Sequence, residues 1–119
     1  MKLRIEELAE VTYVVPEGRL DFDAAPGFQE AVERVLGGAG KSPPRAVIID
    51  GTGLEYVSSA GLRAFLLAAR AAQRSGIAFA LCALQPAVRE VFELSGFSRI
   101  IPVHADRASA LAQTQQGRA

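Results

Sequence analysis

Few side chains in this sequence are equipped for chemistry, and their spacing excludes most of it. The nucleophiles in a suggestive setting are Ser58 and Ser59, inside residues 48–70, IIDGTGLEYVSSAGLRAFLLAAR. A serine nucleophile needs a base within reach. The only histidine, His104, falls in a polar stretch near the C-terminus, where a solvent-facing position is expected, and neither serine occupies a Gly-x-Ser-x-Gly elbow. Gly51-Thr52-Gly53 follows an apolar run as a dinucleotide loop would. Leu54-Glu55-Tyr56 breaks the Gly-x-Gly-x-x-Gly pattern, however, and no lysine follows at P-loop spacing. Cys, His and carboxylates do not cluster as metal ligands. The single cysteine, Cys82, has no disulfide partner in the chain and reads as a small buried hydrophobe. No catalytic residue, metal or cofactor is therefore expected, and the chain does not read as an enzyme.

What the two serines can do depends on the elements around them. Ala46-Val47-Ile48-Ile49 is an apolar run without alternation, the mark of a strand covered on both faces, ending at Asp50. Residues 51–57 read as a loop. Leu62, Phe65, Leu66 and Ala69 then recur at i, i+3, i+4, i+7, the stripe of a packed helix. Ser58 and Ser59 thus sit where a loop becomes a helix. The first turn of a helix presents unpaired N–H groups and the positive end of the dipole. A hydroxyl there can cap the helix, and a phosphate added there lands where negative charge is favoured. The residues alone leave both readings open.

The remaining periodicity supplies the frame. Residues 2–9 alternate and residues 11–15 are β-rich, an antiparallel hairpin joined by a tight turn at Ala9-Glu10, with the second strand resuming at Gly18-Arg19-Leu20 after a bulge near Pro16. Residues 21–26 open a helix, with Asp as cap and Pro26 in its first turn, that buries Phe28, Ala31, Val32, Val35 and Leu36 and ends at Gly37-Gly38-Ala39-Gly40. Residues 77–84 are a second continuous apolar strand. A helix from Gln85-Pro86 turns Val88, Val91 and Phe92 inward, residues 100–103 form a short last strand, and Asp106 caps a final helix over residues 107–113 with Ala108, Leu111 and Ala112 inward. Strand–helix–strand alternation after residue 43 argues for parallel pairing and right-handed crossovers. The expected class is α/β: one domain over residues 1–114, a mixed sheet whose N-terminal hairpin is antiparallel and whose later strands are parallel, helices packed against it, and a tail at residues 115–119.

Tyr56-Val57-Ser58-Ser59-Ala60-Gly61-Leu62-Arg63, standing after Val47-Ile48-Ile49-Asp50, resembles the signature of the STAS domain, and more narrowly of bacterial anti-sigma factor antagonists. Members of that family often carry Asp-Ser-Ser/Thr-Gly-Leu here and are phosphorylated on the first serine after the Asp. Aligned on Gly61-Leu62, that serine is Ser59; Ser58 takes the place of the acid, and Ala60 that of the second hydroxyl. Gly18-Arg19-Leu20-Asp21 is similar to the family's Gly-x-Leu-Asp turn beside the phosphosite. The resemblance spans about residues 3–111. It implies a STAS-like fold and a protein–protein switch. The partner would be an anti-sigma factor that is also a GHKL-type serine kinase; docking would free a sigma factor, phosphorylation of Ser59 (alternatively Ser58) would end the complex, and a PP2C-type phosphatase would reset it. Asp21, Ser58, Ser59, Gly61, Leu62 and Arg63 would form the contact. For Asp21 a turn role and a role beside the phosphoacceptor stand level, whereas Asp50 is read as structural and Arg63 as an exposed helix position. Because Ser58 replaces the acid, a phosphorylation-independent STAS scaffold or adaptor, stressosome-like or in a lipid-transport complex, is the alternative.

Composition fits a partner-binding domain. Thirteen basic and 13 acidic residues cancel, leaving neither a nucleic-acid footprint nor a polybasic membrane cluster. The longest apolar run, residues 77–84, is far too short to span a bilayer, and the N-terminus lacks a signal-peptide apolar region. No membrane insertion is expected, and a reducing cytoplasm is the expected compartment.

Overall fold

In the computed structural model, residues 1–116 are described, the side chains only as far as Thr114. Strand β1 (Lys2–Leu8) pairs antiparallel with β2 (Val11–Leu20) through the turn at Ala9-Glu10. Helix α1 (Ala25–Leu36), β3 (Ala46–Asp50), β4 (Leu54–Val57), α2 (Ser59–Arg74), β5 (Ala78–Cys82), α3 (Pro86–Leu94), a 3₁₀ turn (Phe97–Arg99), β6 (Val103–His104) and α4 (Arg107–Gln116) follow. The main sheet runs β1-β2-β3-β5-β6, and every pairing after the hairpin is parallel. The mixed sheet is as the alternation predicts.

Period 2 divides the strands between two layers. Val14, Val47, Ile49 and Leu81 face α1, α2 and α3, where Phe28, Phe65 and Phe92 stack with ring centroids 4.8 and 5.2 Å apart. Val11, Tyr13, Ile48 and Cys82 face α4 through Ala110 and Leu111. Every residue of β3 is buried, as its unbroken apolar run predicts. Four buried positions of α1 (Phe28, Val32, Val35, Leu36) match its expected stripe, while Ala31 is only half-buried.

Several expectations are corrected. Residues 51–57 are not all loop: Leu54–Val57 form β4, which pairs with the end of β2. Strand β2 includes Gly18-Arg19-Leu20 as expected, but it runs through Pro16 without interruption, and its register shifts at Gly18, whose φ of +101° suits glycine, not at Pro16. Its first half therefore pairs with β3 and its last three residues with β4. Helix α2 is rotated by about one position from its expected stripe: Gly61, Ala64, Phe65, Ala68 and Ala72 are buried, while Leu62, Leu66 and Ala69 are half-buried. Small residues let the helix approach the sheet closely, and the leucines flank the contact. Strand β5 is shorter than residues 77–84, because Ile77 closes the end of α2 and Ala83 turns out at φ +57°. Residues 100–103 are not a strand: Gly96 starts the 3₁₀ turn, Ile100 is exposed, and pairing begins only at Val103. In α4, Asp106 caps as expected by accepting from the Ser109 amide at 2.8 Å. Ala110 and Thr114 are buried there, however, and Ala108 and Ala112 are exposed, so the inward face is shifted. The helix runs two residues into the stretch set apart as a tail; residues 117–119 lie outside the described residues.

Candidate functional site

Leu20 and Gly61 fix the geometry around the two serines. Gly61 is buried against the end of β2, and a Cβ there would stand 2.6 Å from the Leu20 carbonyl oxygen and 3.0 Å from side-chain carbons of Leu20 and Val57. Only glycine lets α2 start this close to the strand. That same Leu20 carbonyl accepts from the Ser58 amide at 3.0 Å and from its Oγ at 3.3 Å.

Ser58 is the N-cap. Its backbone is extended (φ −83°, ψ 175°), its Oγ accepts from the Gly61 amide at 3.1 Å, and its carbonyl accepts from Leu62 at 2.9 Å. The hydroxyl thus spends its proton on Leu20 and a lone pair on Gly61. Ser59, the first residue of the helix, is exposed. Neither the Ser59 nor the Ala60 amide reaches an acceptor among the described residues, so two N–H groups lie beside the Ser59 hydroxyl at the positive end of a 16-residue helix.

Around this point, Arg63 is exposed one turn on and Leu62 is half-buried. Asp21 directly follows Leu20 in sequence; its Oδ1 accepts from the Ala24 amide at 3.0 Å, which closes the turn into α1. Asp21 therefore has a turn role, beside Ser58 but not bonded to it. Gly61 lies beneath the surface and shapes it from below. Three neighbours were not singled out by the sequence. The Arg19 guanidinium stacks 4.0 Å over the Tyr56 ring, a cation–π pair made by facing residues of β2 and β4. Phe22, 77% exposed, projects from the turn after Asp21. The Gly18-Arg19-Leu20 turn points to Arg19, but its pairing with Tyr56 exists only because β4 is a strand beside β2.

The other chemistry-bearing residues lie elsewhere. His104 is half-buried on β6, not solvent-facing, and β3 and β5 separate that edge strand from β2. His104 is therefore not brought to Ser59. Asp50 is buried and structural: Oδ1 accepts from the Thr52 amide and hydroxyl at 3.0 and 2.6 Å, and Oδ2 from Arg107 Nε at 2.7 Å. Burial opposes its charge, but the Thr52 and Arg107 hydrogen bonds outweigh burial and hold the carboxyl below its usual range. Arg107 also donates to Glu6 at 2.9 Å and lies 4.5 Å from the Tyr13 ring centroid, tying α4 to β1, β2 and β3. Cys82 is buried, and burial, with Asp50 nearby, pushes its thiol up to about 11.

A profile of the STAS domain matches residues 2–110. The chain belongs to the STAS domain family. Its relatives include anti-sigma factor antagonist BtrV of Bordetella bronchiseptica, 43% identical over 83 residues that cover 70% of this chain and 72% of BtrV. The crystal structure of an anti-sigma factor antagonist from Mycobacterium paratuberculosis superposes with a TM-score of 0.80 at 23% identity, covering 96% of this chain and 93% of that one. The Bacillus cell fate determinant SpoIIAA in its phosphorylated form gives 0.69 at 18% identity, covering 94% and 98%. At these identities the two structures speak to the fold. Among the described residues of this STAS domain, no helix is long and apolar enough to cross a membrane.

Proposed function

We propose that this STAS domain is an anti-sigma factor antagonist. It docks an anti-sigma factor that is also a GHKL-type serine kinase, so releasing a sigma factor in the cytoplasm, and it contributes no catalysis of its own. The kinase phosphorylates Ser59, the complex separates, and a PP2C-type phosphatase restores the hydroxyl. The kinship with BtrV supports the assignment. The observation that carries it is the division of labour between two adjacent hydroxyls: Ser58 is spent on the cap, and Ser59 is exposed on the first turn.

The switch follows from charge. Phosphorylation adds about −1.5 to −2 charges at one point. The free amides of Ser59 and Ala60 and the helix dipole accept that charge without unfolding the domain. A partner packed against the same spot must desolvate or repel it, the more so if it presents carboxylates to Arg19 and Arg63. The proposed contact comprises Ser59, Leu62, Arg63 and Asp21, framed by Phe22 and the Arg19–Tyr56 pair, with Ser58 and Gly61 holding the surface in shape. Incubation with a cognate anti-sigma kinase and ATP, followed by phosphosite mapping, is expected to find phosphate on Ser59. Phosphate on Ser58 alone would overturn the assignment. Ser59→Asp is expected to weaken docking without lowering the melting temperature; equal affinity would remove the charge mechanism.

A further inference from the structure

A second site lies at the opposite edge of the sheet. A cavity of about 590 Å³ opens where β5 runs past the end of β6, walled by Ile77, Phe79, Pro102 and His104 and rimmed by Gln73 and Gln113. Its size falls within the range of small-molecule sites, and its mix of apolar walls with a few polar atoms is typical of them. Among the described residues, no Asp, Glu, Lys or Arg lines it.

One observation defines what it would take, the bare edge of β5. Leu81 and Ala83 donate to β6, at Pro102 and His104. Alternation along the strand turns the N–H and C=O of Phe79 to that same edge, beyond the end of β6. The next such residue, Ile77, has its amide bonded to Ala72 at the end of α2. Among the described residues the N–H and C=O of Phe79 and the C=O of Ile77 are therefore open at this edge, a short stretch that matches a single amide edge.

We infer that this cavity binds an uncharged, ring-sized molecule carrying an amide- or lactam-type edge, which pairs with the Phe79 backbone while its apolar body packs on Ile77, Phe79 and Pro102. This site is separate from the serine surface and does not depend on the partner reading above.

The test is a backbone and histidine-ring NMR titration of the full chain with carbostyril, a bicyclic aromatic lactam. Saturable shifts at Phe79 and His104 with a millimolar constant are expected, in the range of a small probe making few contacts. N-methylcarbostyril lacks the donor, and quinaldate carries a charge; each is expected to bind at least about tenfold more weakly, the cost of one lost hydrogen bond. The cavity-filling Ala78→Leu is expected to abolish the carbostyril shifts while the backbone amide spectrum keeps its native dispersion, which reports that the variant is folded. Absence of shifts at Phe79 and His104, or equal binding of the N-methyl compound, overturns the inference.

Discussion

Replacing Ser58 and Ser59 by alanine, one at a time, separates the two hydroxyls. Ser58→Ala removes the cap on the Gly61 amide (3.1 Å) and the weaker donation to Leu20 (3.3 Å); the Leu20 carbonyl keeps the Ser58 amide, but the Gly61 amide, next to a buried Cα, loses its acceptor. Loss of a serine cap costs about 1 kcal/mol, and the shielding of Gly61 argues for about 1–1.5 kcal/mol. With an unfolding entropy of about 2.1 cal/mol/K per residue, 119 residues give about 0.25 kcal/mol/K, so the melting temperature should fall by about 4–6 °C. Ser59→Ala removes an exposed hydroxyl and adds a better helix former, so its shift should stay within about 1 °C. Differential scanning calorimetry of the three proteins measures both numbers, and kinase assays run alongside should show phosphate accepted by Ser58→Ala and refused by Ser59→Ala. If Ser59→Ala were the destabilised variant, or if the two melted alike, the assignment of cap and acceptor would be wrong.

Other substitutions probe the frame. Gly61→Ala places a methyl 2.6 Å from the Leu20 oxygen. The overpacking cost of about 1–3 kcal/mol exceeds the gain in helix propensity, and urea melts should show a lower midpoint with unchanged slope. The Asp50 and Glu6 carboxyls are both held below their ordinary values: Asp50 against its burial by Thr52 and Arg107, Glu6 first by Arg107 and then by Arg4. Depressed carboxylates stabilise above the unfolded pKa of about 4, and that stability is lost as pH falls through the folded values. Melting temperature should therefore drop below about pH 4, and Arg107→Ala should flatten that acid limb; an unchanged limb would count against the network. Cys82, buried and with its thiol raised to about 11, should resist alkylation at neutral pH until the protein is unfolded in urea. Rapid labelling of the native protein would contradict its burial.

The parts of this molecule legible in the sequence are those decided by neighbours along the chain. The unbroken run of β3, the turn at Ala9-Glu10, the buried face of α1 and the loop-to-helix junction at Ser58 all follow from local pattern. Strand β4 was illegible because four residues with a buried-exposed-exposed-buried pattern carry no period, and only pairing with β2, some 36 residues away, makes them a strand. The buried face of α2 departs from its leucine stripe because close approach to a sheet selects glycine and alanine over the more apolar leucine. Which serine caps could not be read from residue type, since either can; the position of the Leu20 carbonyl decides it. The link from Arg107 to Asp50 and Glu6, 57 and 101 residues away, leaves no trace in local pattern.

The double hold on the Leu20 oxygen has a consequence for how a visitor is received. The carbonyl joins the turn that carries Asp21 and Phe22 to the start of α2, so hydrogen bonds hold the two segments together. If a partner docks there as proposed, little mobility should be surrendered, and the residence time should be set by fit and not by the ordering of loops.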